Sequence, residues 1–573
     1  VTGTEPGAPG RTESSASHGG PPDDPTPAEH DTGRASFFVA AGILVSRLSG
    51  LVREAAMGAF LALSPAGDAF HAALRIPQLL QNLLGEGVLS AAFIPVYAQL
   101  LEDGDEEEAG RVAGAIAGLL TAVTGLLVAA AIVAAPLLTS ILAPGFEGET
   151  YDLTVRLVQI MTGGLGFMVL SAWCLGVLNT HRRFFLSYAA PVIWNATQVA
   201  VLIFVGLKGW TEADIAVAVA WAVTIGGALQ FLIQLPLVRR VAPRIWLSVR
   251  TDLPGVRTVL RRFGPAVMGR GVVQIGAFID LALASLLATG AVAALSYAQI
   301  LYLLPVSLFA MSIAAAELPE LSRSAQEPGV IRRRLTVGLG RIAFFMAFTT
   351  AAYLVAGHLI VAAIYERRLF DADDTTLVWA ILGGYALGLA GIGASRLVQN
   401  VLFALGDVAG PARIAAVRVA LAAGFGVILM FQLDRVIIEA GSLQGLGELP
   451  APLRALPSTL REGADLSLRL GAVGLALGSS IASWVELGLL GRRLQGRLDV
   501  EVSVWRPIGR FVVPAIVSAV VMVGVQLGLP ELSPLIEAPL VIGLGGLVYL
   551  GVARLQGAPE VALVTAPLTR LRR

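Results

Sequence analysis

Charge is scarce in this chain. Asp, Glu, Lys and Arg make up 14% of its 573 residues, where a soluble globular protein carries about 25%. A water-facing surface cannot be built from so little charge, so a soluble multidomain architecture is excluded. Cysteine is nearly absent. Cys174 stands alone inside an apolar run, which rules out an intrachain disulfide and a cysteine-held metal cluster. Histidine is sparse too: His18, His30, His71, His181 and His358 are scattered, and no two have the i, i+4 spacing of a helical metal site. Zinc chemistry and a Ser–His hydrolase therefore lack support. Lysine is reduced to Lys208, and arginine carries the rest of the positive charge. There is no Walker A sequence, so ATP is not the direct energy source. The formal net charge of zero gives no global attraction for a polyanion such as nucleic acid. Nothing in the composition calls for a cofactor.

What the chain has is apolar length. Hydrophobic residues are 55% of the total and come in long blocks, such as 112–139 and 511–529. About 20 helical residues cross the ~30 Å hydrocarbon core of a bilayer. Fourteen candidate spans follow: 36–60, 69–100, 111–139, 152–179, 186–207, 212–237, 258–287, 291–316, 336–364, 375–404, 410–431, 466–491, 507–529 and 535–556. The expected fold is an all-α membrane protein. Residues 1–34 are rich in Gly, Pro, Ser, Thr and acids and cannot offset their ordering entropy by burial. They are expected to form a disordered cytoplasmic tail, and they lack the basic and apolar regions of a signal peptide.

Loop charges set the expected orientation. With the N-terminus inside, cytoplasmic loops hold Arg182, Arg183, Arg239, Arg240, Arg244, Arg250, Arg257, Arg323, Arg332 to Arg334, Arg492, Arg493, Arg497 and Arg506, and the C-terminus adds Arg570, Arg572 and Arg573. The opposite loops at 61–68, 140–151, 288–290 and 530–534 have no Lys or Arg; the exceptions on that side are Lys208, Arg367, Arg368, Arg435, Arg454 and Arg461. That asymmetry fits the positive-inside rule with both termini cytoplasmic. The polar 432–465 stretch is expected as an extracytoplasmic loop with an interfacial helix. AAFIP at 91–95 and AAELP at 315–319 end the second and eighth spans, an echo that suggests two pseudo-symmetric six-helix lobes. The expected organisation is a tail (1–34), an N-terminal lobe (35–240), a C-terminal lobe (241–500) and two further helices with a basic tail (501–573).

Charges inside spans are the functional signal. Each costs roughly 2.5–3.5 kcal/mol at a helix centre, yet the first two spans hold Arg47, Arg53, Glu54, Arg75 and Glu86. Arg47 and Glu54 are seven positions apart and Arg75 and Glu86 eleven, so each pair shares a helical face. Asp68 precedes the second span, where it is placed to cap it. One reading makes these ion-pair networks, Arg53–Glu54 and Arg75–Glu86, that lock helices together. The other notes that the arginines outnumber nearby acids, so a surplus positive potential remains for an anionic ligand, and guanidinium groups suit phosphate. Arg270 lies near mid-membrane in the seventh span, with Asp280 near the same face; its alternative is a pair with Glu54 or Glu86. Arg396 and Glu486 either pair with each other or line a second groove.

The stretch SRLSGLVREAAMGAF, followed by GDAFHAALRIPQLLQNLLGEGVLSAAFIPVYAQ, closely resembles the MurJ/MviN family of lipid II flippases. So do APGF at 143–146, WAVTIGGALQFLIQLP at 221–236, GPAVMGRGVVQI at 264–275 and ALGDVAGPARIA at 404–415. The resemblance runs from about 36 to 560 and implies fourteen helices, two lobes and alternating access around a cationic cavity. It also implies export of an undecaprenyl-pyrophosphate-linked disaccharide-pentapeptide across the inner membrane for peptidoglycan and cell shape. The family's cationic and acidic cavity residues fall on Arg47, Arg53, Glu54, Asp68, Arg75 and Glu86. Two of its usual arginines fall on Gln81 and Ile300. Arg270 is not a usual family arginine and is expected to restore part of the lost charge. The expected binding set is therefore Arg47, Arg53, Arg75 and Arg270, with Glu54, Asp68 and Glu86 as the cavity network. Expected partners are the lipid-linked sugar, the bilayer and cell-wall synthesis proteins, with no nucleic acid. Alternatives are a flippase for another polyprenyl-linked saccharide, a drug or ion antiporter, which would favour cavity carboxylates, and a non-transporting scaffold for cell-wall assembly.

Overall fold

The computed structural model describes residues 27–570 apart from 325, 440–441, 462–467, 499–502 and 531; side chains at 27–40, 86, 268–273, 448 and 567–570 are also outside the description. The chain is helical nearly throughout. The first helices are α1 (Pro27–Leu61), α2 (Pro65–Leu84), α3 (Glu86–Ala92) and α4 (Ile94–Glu102). Ser64, not Asp68, caps α2: its hydroxyl accepts from the amide of Gly67, and Pro65 fills the first helical position. The expected second span is not one helix. It breaks at Gly85, whose backbone is extended, and again at Phe93 before Pro95. The eleven-residue count that put Arg75 and Glu86 on one face therefore fails.

Similar breaks recur. α5 (Glu106–Val133) gives way to α6 (Ala135–Leu142) ahead of Pro136, and α7 (Gly148–Thr162) to α8 (Leu165–Thr180) at a glycine pair. Then come α9 (Phe184–Ala189), α10 (Pro191–Gly206), α11 (Glu212–Val241) and α12 (Pro254–Ser285). α13 (Ala291–Pro305) runs through a π-helical turn, Val306–Met311, into α14 (Ser312–Arg323). After α15 (Pro328–Tyr365), α16 (Ala372–Ala386) and α17 (Leu389–Ala404) form a pair bent by 41°. α18 (Ala409–Leu433) precedes a small polar insert. Beyond it lie α20 (Gly471–Gln495), α21 (Trp505–Gly509), α22 (Val512–Gly528), α23 (Pro534–Leu555) and α24 (Val561–Arg570), with α19 (Ser458–Arg461) inside the insert.

The insert departs from the all-helical expectation. It folds as a three-stranded antiparallel sheet of β1 (Ile437–Glu439), β2 (Ser442–Gln444) and β3 (Leu468–Arg469), in the order β2-β1-β3. Among the described residues eleven helical segments are long and apolar enough to cross a membrane, or twelve with the bent α16–α17 pair. α1 and α12, which run over residues outside the description, stand at the other two of the fourteen expected positions.

α1 to α11 pack mainly on one another, as α2 on α7 and α10 on α11. α13 to α20 form a second group in which α18 and α20 make the most extensive contact. Glycine permits that contact: a β-carbon at Gly474 or Gly478 would strike the main chain of Met430 or Gly426. α22 and α23 pack on each other and on α15. Between the two groups, the extended 244–248 segment lies along α5, where Gly110, Gly114 and Gly118 leave room for the main-chain oxygens of Arg244, Trp246 and Ser248. The amide of Ser248 donates to the carbonyl of Gly114 at 3.3 Å.

One face of the molecule carries the α1–α2 turn, the α12–α13 turn and the insert. There the two groups are sewn together. Arg461 is buried, and its guanidinium donates to the carbonyls of Leu456 (3.0 Å) and Gly145 (2.8 Å) and to the carboxylate of Glu147 (3.2 Å). Its own carbonyl accepts from the amide (3.1 Å) and hydroxyl (2.9 Å) of Thr289. The amide of Gly145 donates to Ser285 Oγ at 3.1 Å. The turns on this face have no Lys or Arg at 61–68, 140–151 and 288–290, and the insert brings Arg435, Arg454, Arg461 and Arg469 to it.

Candidate functional site

Arg53 and Glu54 are neighbours on α1 and form an ion pair with each other. The Arg53 guanidinium also donates to Asn195 Oδ1 at 3.2 Å and lies over the Trp194 ring at 4.7 Å. Asn195 in turn donates to Ser49 Oγ at 2.8 Å. Trp194 and Asn195 start α10, so this cluster clamps α1 to α10 and holds Arg53 in one place. The second oxygen of Glu54 is buried with no hydrogen bond, as are His71 Nε2 and the hydroxyls of Tyr297 and Tyr365.

Arg75 has a different environment. Among the described residues no carboxylate is within ion-pair distance of it. Its guanidinium donates to Gln299 Oε1 at 2.8 Å, and Gln299 Nε2 donates to the Tyr385 hydroxyl at 3.1 Å. The Tyr385 ring stacks on Tyr302 at 4.9 Å. This relay runs from α2 through α13 to α16, across the boundary between the helix groups. Half-buried Asp280 on α12 lies within the electrostatic reach of Arg75 and of Arg418.

Arg47 is exposed on α1, two turns before Glu54, and donates to Ser307 Oγ at 3.2 Å in the π-helical turn. It too has no carboxylate partner among the described residues. So the structure links Arg47 and Arg75 to neutral groups on α13 and the turn that follows it, and neutralises Arg53. Asp68 stands elsewhere: it is 2% exposed, and its two oxygens accept from the amides of Gly290 and Ala293, both at 2.7 Å. A carboxylate at a helix N-terminus satisfies donors that have no partner within the helix. Asp68 therefore caps α13, not its own helix. The side chains of Arg270 and Glu86 lie outside the described residues.

Sequence reasoning passed over the neutral partners Asn195, Gln299, Ser307 and Tyr385. The signal was present: an amide inside an apolar run needs a hydrogen-bonding partner. The expected Arg396–Glu486 pair is replaced. Glu486 accepts from Gln399 Nε2 at 3.0 Å and pairs with Arg418 at 3.6 Å, while Arg396 is exposed and makes no ion pair among the described residues. Among the described residues no three of His, Cys, Asp and Glu are grouped to hold a metal ion. The arrangement can receive an anion without covalent chemistry, because guanidinium groups with neutral partners keep their full charge.

Residues 57–445 match the family model described as lipid II flippase MurJ. A probable lipid II flippase MurJ of Rhizobium tropici is 34% identical over 397 residues, covering 68% of this chain and 74% of the relative. The lipid II flippase MurJ of Burkholderia cenocepacia is 31% identical over 413 residues, covering 70% and 78%. Among solved structures, a lipid II flippase MurJ in an inward closed conformation superposes with a TM-score of 0.68 at 20% identity, covering 94% of this chain and 99% of that one. An inward-facing multidrug resistance transporter of the MATE family, in the MOP superfamily, gives 0.60 at 15% identity, covering 81% and 98%. With the model spanning most of the chain and relatives above 30% identity aligned over more than two thirds of their length, this protein belongs to the MurJ family of lipid II flippases.

Proposed function

We propose that the protein moves lipid II, the undecaprenyl-pyrophosphate-linked peptidoglycan precursor, from the inner to the outer leaflet of the cytoplasmic membrane. The diphosphate and sugars enter a cavity between the two helix groups while the polyprenyl tail stays in the bilayer. The arginine-rich face is cytoplasmic in this reading. The bonds that Arg461, Asp68 and Gly145 make then close the outer side, so the cavity loads from the inside. Transport follows when the halves rock and those bonds exchange for others on the cytoplasmic side.

The observation that carries this reading is the state of Arg47 and Arg75. Each is committed to a neutral oxygen, so each retains charge for a phosphate. Arg53 differs: Glu54 already offsets its charge, and its role is to set the position of α1 against α10. Arg270 completes the proposed cationic set. Asp68, assigned to the cap of α13, serves the closed outer side.

Depletion of the protein in living cells tests the substrate. The expected result is accumulation of a polyprenyl-diphosphate disaccharide-pentapeptide on the cytoplasmic face; accumulation of a different saccharide carrier would reassign it. A second test separates transporter from scaffold. Arg47→Gln and Arg75→Gln are each expected to lower transport about tenfold or more, the scale of one charge-assisted hydrogen bond. Full complementation by the double variant would establish the scaffold instead. Wild-type flipping by Arg270→Ala would remove that residue from the set.

A further inference from the structure

The C-terminal helix group contains a second cluster of charge. Arg396 on α17, Arg418 on α18 and Glu486 on α20 lie at one depth. Arg396 is eight residues from the end of α17 at Ala404, Arg418 nine from the start of α18 at Ala409, and Glu486 nine from the end of α20 at Gln495. At 1.5 Å per residue these are all about 12–14 Å from the same arginine-rich face. Glu486 is 5% exposed and fixed by Gln399 and Arg418. Arg418 is half-buried, and Arg396 is exposed with no ion pair among the described residues.

An exposed arginine at this depth faces lipid or a wet interior. α17 is enclosed by α14, α15 and α20. Its accessible stripe carries Arg396, Gln399 and Asn400 at i, i+3 and i+4, between Ile392 on one side and exposed Phe403 on the other, and Asn400 Nδ2 reaches the carbonyl of Ala314 at 2.8 Å. A guanidinium held against hydrocarbon would carry the insertion cost already described. The stripe therefore faces the space between the helix groups. Tyr302 lies within electrostatic reach of Arg418, Arg396, Glu486 and Asp280 together, and its ring stacks on Tyr385 at the end of the Arg75 relay. The two charge clusters are therefore neighbours, with Gln299, Tyr385 and Tyr302 between them.

We infer that Arg396 and Arg418 form a second anion-binding subsite, which takes a carboxylate of the substrate's peptide stem while the arginines of the first helices hold the diphosphate. Arg75, Arg396 and Arg418 together outnumber the Glu486 and Asp280 carboxylates that lie among them, so the group as a whole attracts an anion. With the diphosphate assigned to Arg47 and Arg75, Arg396 and Arg418 are left for a second anionic group. The lipid-linked head group carries its remaining negative charges on peptide carboxylates, and arginine pairs with these in a planar, two-bond geometry. Glu486 orients Arg418 and prevents the empty subsite from being an uncompensated double charge. This inference rests on the flippase reading.

The test uses the full chain in lipid nanodiscs and two ligands: polyprenyl-diphosphate disaccharide with its pentapeptide, and the same lipid without the peptide. Arg396→Gln and Arg418→Gln are expected to weaken binding of the peptide-bearing lipid about tenfold each and to leave the peptide-free lipid unchanged. Arg396→Lys and Arg418→Lys, which keep the charge, are expected to lose less. Equal weakening for both ligands, or no change for either, would overturn the subsite, and thermal melting of each variant identifies a folding defect. If the wild-type protein bound neither lipid, the flippase reading would fall, and the subsite with it.

Discussion

Single residues in this molecule divide by whether burial is compensated. Asp68 is buried, and its charge is fully used by two amides. Asp434, just past the end of α18, is 1% exposed, and both of its carboxylate oxygens lack a hydrogen bond. Burial pushes its carboxyl up from 3.8 to about 6, against the pull of Arg469, the nearby Ala288 amide, Arg435 and Arg461. The sign follows from which state binds the proton more tightly. Below about pH 4 Asp434 is protonated folded and unfolded, and nothing is lost. Between about 4 and 6 the unfolded chain ionises first, so stability falls as pH rises, then levels off. The accumulated penalty is of order 2–3 kcal/mol. Asp434→Asn is therefore expected to raise thermal stability at pH 7 and above, with no gain near pH 4. A stability gain equal at both pH values would show that the charge is not the cause.

At the scale of elements, the sequence placed the helices better than it placed their interruptions. Hydropathy sums over a window, and a break at Gly85, at Ala134 or at the Gly163–Gly164 pair leaves the sum intact. The charged residues of α1 and α2 were legible because their cost in a bilayer marks them singly. Their partners were not, since Asn195 and Gln299 come from helices far along the chain. The small sheet was illegible for another reason: strands of two or three residues have no alternation to read. Its insert matters because of Arg461, which gives one buried guanidinium to both helix groups. Removing it leaves the carbonyls of Gly145 and Leu456 and the carboxylate of Glu147 without that donor. Arg461→Ala is expected to speed amide hydrogen exchange at 143–147 and 285–290 well above the rest of the molecule. Unchanged protection at both turns would show that other contacts hold that face closed.

For the whole molecule, the proposed direction of opening rests on the distribution of arginine. The α1–α2 and α12–α13 turns, which hold no arginine, gather with the insert on one face, and that face is the one sewn shut. A transporter that loads an anionic lipid from inside the cell needs its closed side outward, and the positive-inside rule gives that orientation independently of the bonds. The same orientation sets the charges of Arg47 and Arg75 in the membrane potential, where each elementary charge moved across the full field is worth about 2.3 kcal/mol per 100 mV. The sidedness is open to direct measurement because the one native thiol, Cys174, is buried and does not compete for reagent. A cysteine at Lys208, in the turn between α10 and α11, is expected to react with a membrane-impermeant maleimide on intact cells. A cysteine at Pro243, after α11 on the opposite face, is expected to react only once the membrane is opened. The reverse pattern would turn the molecule over, put the sealed face in the cytoplasm, and make loading from the inner leaflet impossible in this conformation.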